Sequence, residues 1–140
     1  MEAKTLQFDT GLVSYNINGL IELQFNPTDS AFVEKLFNTF DDLDKKQEAY
    51  KAEIEHAQKR EIFDIARKRD AEMREMIDSV FSMPVCAAVF GNMNVYALAN
   101  GLPVWANLLL AVMDEIDTSF AREQKLTDGR IKKYTAKYRR

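Results

Sequence analysis

The stretch DSAFVEKLFNTFDDLDKKQEAYKAEIEHAQKREIFDIARKRDAEMREMIDSVFSM, Asp29–Met83, contains neither glycine nor proline. Phe32, Leu36, Phe40, Leu43, Tyr50 and Ile54 recur in it at spacings of three, four or seven, which is the stripe of an amphipathic helix. The stripe thins through Lys45-Lys46-Gln47-Glu48 and a charged run, then resumes with Ile62, Ile65, Met73, Met76, Ile77 and Phe81. A single helix of this length would reach roughly 80 Å at 1.5 Å per residue and would protrude from a small domain unless it paired with something. The alternative is two helices broken near residues 41–46 or 57–61, where the usual punctuation is missing.

On the N-terminal side, residues 5–25 read as strand. Leu6 and Phe8 alternate with polar residues before a turn at Asp9-Thr10-Gly11, and Asn18-Gly19 is a hairpin signal. A two-residue loop mixes the faces. A three-residue loop, Ile17-Asn18-Gly19, puts Tyr15 opposite Ile21 and Val13 opposite Leu23, with Ser14 and Glu22 on the other face. So small a sheet needs a helix or another subunit over its apolar side. Pro27 closes the region, and Thr28 or Asp29 can cap the helix that follows.

On the C-terminal side, Pro84 changes the character of the chain. Val85–Phe90 is short and apolar and ends at Gly91; Asn94 can cap a turn over Val95–Asn100, ended by Gly101. Pro103 stands where a first helical position is expected. A helix from Pro103 to about Arg122 carries Trp105, Leu108, Leu109, Val112, Met113, Ile116 and Phe120 on one side, and Thr127-Asp128-Gly129 reads as its stop. The chain is thus expected to be one mainly α (α+β) domain. Residues 1–27 form the hairpin region, 28–83 one or two long helices, 84–124 a compact helical end and 125–140 a basic tail.

Charge is distributed unevenly. Lys125–Arg140 holds seven Lys or Arg against one Asp, so a net −3 leaves −9 on the first 124 residues. The basic residues Arg130, Lys132, Lys133, Lys137, Arg139 and Arg140 interleave with Tyr134 and Tyr138. They can remain solvated, reach an acidic partner, or contact nucleic acid by phosphate pairing and base stacking, although the acidic body would repel a polyanion. The N-terminus has no signal-peptide pattern, and the longest apolar run, Val104–Met113, is about half of what a bilayer requires. The single cysteine, Cys86, excludes an intramolecular disulfide framework and fits a reducing cytoplasm.

Residues that carry enzyme chemistry are sparse. One histidine, His56, lies in the charged helix, and Cys86 lies in an apolar segment where burial raises a thiol pKa. One of each cannot build the usual zinc sites. Asp41, Asp42, Asp44, Glu53 and Glu55 alternate with cations, as on a solvated helix face. The five glycines are scattered, so no phosphate loop is present. Met73, Met76, Met83, Met93 and Met113 suit either core packing or an adaptable binding surface. The expectation is no enzyme, no catalytic residue, no cofactor and no metal.

The stretch FGNMNVYALANGLPVWANLLLAVMDEID, Phe90–Asp117, together with NINGLIELQFNPTDSAFVEKLF, Asn16–Phe37, resembles proteins from the tail-assembly region of siphophages and prophages of Gram-positive bacteria. The resemblance implies a tail assembly chaperone, a homo-oligomer of the bacterial host cytoplasm. Such a protein coats the tape measure protein until tail tube subunits replace it. A frameshifted longer form is common in such proteins, and Lys132-Lys133 is compatible with a slippery adenine run. The alternatives are a structural tail or head–tail connector component, and a small nucleic-acid-binding regulator using the basic tail. The expected protein interface is the apolar face of Trp105, Leu108, Val112 and Ile116 with Phe32, Leu36 and Phe40, unless these residues form the core.

Overall fold

The computed structural model describes residues 2–138, apart from the side chains of Asp128, Arg130, Ile131, Tyr134, Thr135 and Tyr138. The chain is mainly α with a small antiparallel sheet, as its patterning predicts. Strands β1 (Val13–Ile17) and β2 (Ile21–Phe25) form a hairpin, followed by helices α1 (Ser30–His56), α2 (Lys59–Phe81) and α3 (Val85–Phe90). A two-residue ladder of β3 (Leu98–Ala99) and β4 (Leu102–Pro103) leads into α4 (Val104–Tyr138). Among the described residues, no helix is long and apolar enough to cross a membrane.

The hairpin departs from its expected register by two residues. Tyr15 faces Leu23, Ile17 faces Ile21 and Val13 faces Phe25, so the loop is Asn18-Gly19-Leu20. Asn18 and Gly19 both have positive φ, as in a type I′ turn. Leu20 follows as an extra residue, its N–H donating to Ile17 O at 2.9 Å. A shift of two leaves the faces unchanged. Tyr15, Ile17, Leu23 and Phe25 turn inward, while Ser14, Asn16, Glu22 and Gln24 remain exposed.

The strand expected around Leu6 and Phe8 is absent. Residues 2–12 have no regular structure, and Leu6 and Phe8 are 89% and 83% exposed. Alternation makes a strand only where another strand supplies hydrogen bonds, and this segment has no such neighbour among the described residues.

Two helices, not one, occupy the long glycine-free stretch. α1 begins at Asp29, whose Oδ1 accepts from Ala31 N at 3.0 Å, and ends where Ala57 and Gln58 become extended. Gln58 N–H donates to Glu61 Oε2 at 3.5 Å, a Gln-x-x-Glu version of the capping box, so the break needs neither glycine nor proline. α2 then returns along α1. Lys46 pairs with Glu72 at 3.0 Å, Arg69 joins Glu53 and Glu72, and Lys35 Nζ donates to Ser79 O at 2.7 Å. Ser82 ends α2 in the left-handed conformation, with Met83 N–H returning to Asp78 O, before Pro84.

The core lies where both helices, the hairpin and α4 meet. Leu36 and Leu43 pack with Met73, Ile77 and Val80, with Val85 and Cys86 of α3, and with Trp105, Leu109, Val112 and Ile116 of α4. Leu23 and Phe25 bring the hairpin into this core. Phe25 stacks between Tyr15 (4.6 Å) and Phe32 (4.5 Å). Trp105 packs on Phe40 and donates its indole N–H to Gln47 Oε1 at 2.9 Å.

The loop after α3 is bolted to α2. Asp70 accepts Val95 N–H at 2.7 Å and pairs with Arg74, which donates to Gly91 O and Met93 O; Asn94 Nδ2 reaches Ala66 O. Trp105 N–H then meets Val95 O, which fixes the start of α4. The helix begins at Val104, one residue later than expected. It does not stop at Thr127-Asp128-Gly129 but continues through Gly129 to Tyr138. One glycine costs a helix only about 1 kcal/mol relative to alanine, too little to end a helix without a capping partner.

Candidate functional site

The residues expected to form an interface divide in the structure. Leu36, Trp105 and Ile116 are fully buried in the core, and Phe32 and Phe40 are half-buried against it. They hold the elements together, and of the five only Phe32 and Phe40 keep part of their surface exposed. Leu108 and Val112 are also largely buried, at 8% and 4% exposure, but both line the floor of a cavity. The expected apolar face is thus mostly core, and only its Leu108–Val112 section borders open space.

That cavity is a groove of ≈ 580 Å³ between the hairpin and α4. One wall is β1, from Tyr15 to Ile17, with Asn18 at the turn. The opposite wall is α4, with Val104, Asn107, Leu108, Ala111, Val112 and Glu115. Phe25, Val89, Phe90, Met93 and Ala99 close the rest. The spacing along α4 explains the second wall: positions 104, 107, 108, 111, 112 and 115 follow the i, i+3, i+4 pattern of one helix face. Residues 105, 109 and 116 turn to the core instead. Aromatic and aliphatic carbon dominates the lining, and Glu115 is its one charged residue.

Glu115 is tied into the wall. Tyr15 donates its hydroxyl to Glu115 Oε1 at 3.2 Å, and Ser119 Oγ donates to the same oxygen at 3.3 Å. Burial raises the Tyr15 pKa above its ordinary value, opposed in part by the Ser119 hydrogen bond and assisted by the Glu115 charge. Ala111, in contrast, is an exposed small residue on the groove wall. Met93 is half-exposed at the rim, and among the described residues β2 is the one strand paired with β1.

Candidate groups for enzyme chemistry do not converge. Cys86 is fully buried and burial pushes its thiol pKa up, with the Asp78 carboxylate adding to the effect. His56 is exposed on the last residue of α1. Among the described residues, no three His, Cys, Asp or Glu side chains are grouped to hold a metal. Met73 is a core residue and Met113 nearly so, whereas Met93 sits on the groove.

The basic tail continues α4. Lys132, Lys133 and Lys137 are exposed along it, Arg130 is described in its backbone alone, and Arg139 and Arg140 lie outside the described residues. The whole section from Ala121 to Thr127 is exposed, so this end of the helix stands clear of the core. Comparison of the chain with known protein families, with curated proteins and with solved structures found no match.

Proposed function

We propose that this chain is a non-enzymatic protein-binding module and that the groove between β1 and α4 receives an apolar segment of a long helical partner. The observation that carries this reading is the groove itself: a mainly apolar lining with one carboxylate and three asparagines, beside a strand that among the described residues pairs on one edge alone. Such a surface suits the apolar stripe of another helix or an extended apolar segment. Polar groups of its lining are engaged within the chain: Asn16 Oδ1 accepts from Gly19 N, Asn107 Nδ2 donates to Ala99 O, and Glu115 accepts from Tyr15 and Ser119.

The partner class follows from the resemblance of Asn16–Phe37 and Phe90–Asp117 to phage tail-assembly proteins. In this reading the chain is a tail assembly chaperone in the host cytoplasm and shields the tape measure protein. Co-expression with the tape measure protein of the same genome is expected to keep that protein soluble and to co-purify with it. An insoluble tape measure protein, with this chain alone in the supernatant, would overturn the reading. Retention of the chain in purified virions would replace it with that of a structural tail or connector component.

A further inference from the structure

We propose that the basic end of α4 docks on the acidic outer face of α1 in a second copy of this chain. The contact goes beyond the groove reading and uses other surfaces, since no groove-lining residue belongs to α1.

Charge is divided along the molecule. Residues 28–49 and 70–82, the half of the α1–α2 pair beside the hairpin, hold ten carboxylates against four cations. Residues 50–69, at the far tip, hold six cations against four carboxylates, and residues 125–140 hold seven against one. The acidic half thus carries −6 and the tail +6. Within the acidic half, Asp70 and Glu72 are paired with Arg74, Lys46 and Arg69. Glu34, Asp41, Asp42, Asp44 and Glu48 are exposed and, among the described residues, enter no ion pair. Of the cations on that face, Lys35 is turned to Ser79 O, which leaves Lys45. Nucleic acid would meet the tail but be repelled by the −9 on residues 1–124, whereas a second copy brings the complementary surface in equal number.

Geometry excludes the same contact within one chain. α4 runs against the direction of α1: Trp105 reaches Phe40 and Gln47, whereas Arg122 and Glu123 lie beside Pro27 and Thr28, just before α1 begins. α4 then continues as one helix to Tyr138, about 24 Å past Arg122 at 1.5 Å per residue. Exposed Lys125, Lys132 and Lys133 are carried away from their own α1, and a continuous helix cannot fold back to it.

The two surfaces also match in spacing. A shallow cleft of ≈ 400 Å³ on α1 is lined by Ala31, Glu34, Lys35, Asn38, Thr39 and Asp42. It lies between the rows Ala31-Lys35-Thr39 and Glu34-Asn38-Asp42, a furrow of the kind that takes a side-chain ridge of another helix. On α4 the row Lys125-Gly129-Lys133 has the same step. Glu34 and Asp42 stand about 12 Å apart along their helix, as do Lys125 and Lys133 along theirs. Gly129, exposed at the midpoint, lets the two backbones approach. A Cβ there would meet nothing within 4 Å in its own chain, so internal packing does not call for the glycine.

The test is analytical sedimentation of the full chain across concentration and salt. Wild type should associate at about 0.05 M salt and dissociate toward about 1 M, where charges are screened within about 3 Å. A tail variant, Lys125→Glu/Lys132→Glu/Lys133→Glu, and an α1 variant, Glu34→Lys/Asp41→Lys/Asp42→Lys, change exposed residues. Circular dichroism should show both folded, and each alone should have its dissociation constant raised roughly tenfold or more. Mixed in equal amounts they should associate again, because the unaltered tail of one meets the unaltered α1 of the other. Lys51→Glu/Lys59→Glu/Lys68→Glu, which has the same net charge as the tail variant but lies at the far tip, should behave as wild type. A wild type that is monomeric at low salt, association that survives either reversal, folded variants that stay apart on mixing, or equal loss in the tip variant would overturn the proposal. Loss of wild-type association on nuclease treatment would overturn it too, and would assign the basic end to nucleic acid.

Discussion

Tyr15 and Glu115, one hundred positions apart in the chain, meet at 3.2 Å and pin the hairpin to α4 along one end of the groove. The pairing sets the separation of the two groove walls, so it links a local register choice in β1 to the shape of the binding surface. Tyr15→Phe keeps the ring stacked on Phe25 and removes the hydroxyl with its interactions with Glu115 and Ser119. A loss of about 1 kcal/mol in chemical denaturation is expected. Faster hydrogen exchange should appear in Val13–Phe25 and not in α2.

The Asp70 carboxylate joins α2 to the loop that starts α4. Asp70→Ala leaves the N–H of fully buried Val95 without its acceptor and frees Arg74 from its pair. A cost of about 1–3 kcal/mol is expected. Near-ultraviolet circular dichroism of Trp105, which hydrogen-bonds to Val95 through its backbone, should weaken at the same time.

Tyr96 is stacked on Tyr50 at 4.1 Å and is 8% exposed, and its hydroxyl has no protein partner. Tyr96→Phe is therefore expected to leave stability unchanged or raise it by about 1 kcal/mol. Burial, more than any neighbouring charge, pushes the Tyr96 pKa up to about 12. The folded state thus keeps a proton that the unfolded chain releases near pH 10. The stabilisation is complete below pH 10 and is lost as pH rises toward 12. Urea titrations at pH 8, 10 and 11.5 should show this fall, and Tyr96→Phe should reduce its slope.

Leu108→Asp separates the two roles open to the α4 stripe. With Leu108 at 8% exposure, an aspartate there is a buried charge without a partner, and the expected loss is on the order of 4 kcal/mol or more. Far-ultraviolet circular dichroism should report global unfolding. A folded Leu108→Asp chain that had lost only its partners would instead return Leu108 to the interface.

How far these features can be read in the sequence depends on whether a local signal or a contact decides them. The faces of the hairpin are legible because alternation fixes which residues turn inward. Its register is not, since a slip of two residues preserves both faces, and the extra Leu20 after Asn18-Gly19 decides it. The α1–α2 joint carries a signal in Gln58 and Glu61 that is weaker than the glycine or proline usually sought. Leu6 and Phe8 alternate as a strand does, but a strand is a property of a pair, and among the described residues no second strand lies beside them. Gly129 reads as a helix stop because its residue type is counted without the small size of its cost. For the site, Trp105, Leu108, Val112 and Ile116 are legible as one apolar stripe. Their division between core and groove floor depends on where the hairpin and α3 cover α4, which periodicity does not encode. Ala111, a small residue inside that stretch, gives no sequence signal, although it marks the open part of the groove wall.

If the groove between β1 and α4 is the working surface, Ala111→Trp should block it. An indole at this exposed position fills the groove while leaving every core residue in place. The decisive measurement is affinity capture of the tagged chain and its Ala111→Trp variant from phage-producing cells, with bound proteins identified and quantified by mass spectrometry. A client held in the groove should appear as a long, helix-rich protein in stoichiometric amount on the wild type and be lost from the folded variant. Equal recovery of that protein on both chains would contradict it.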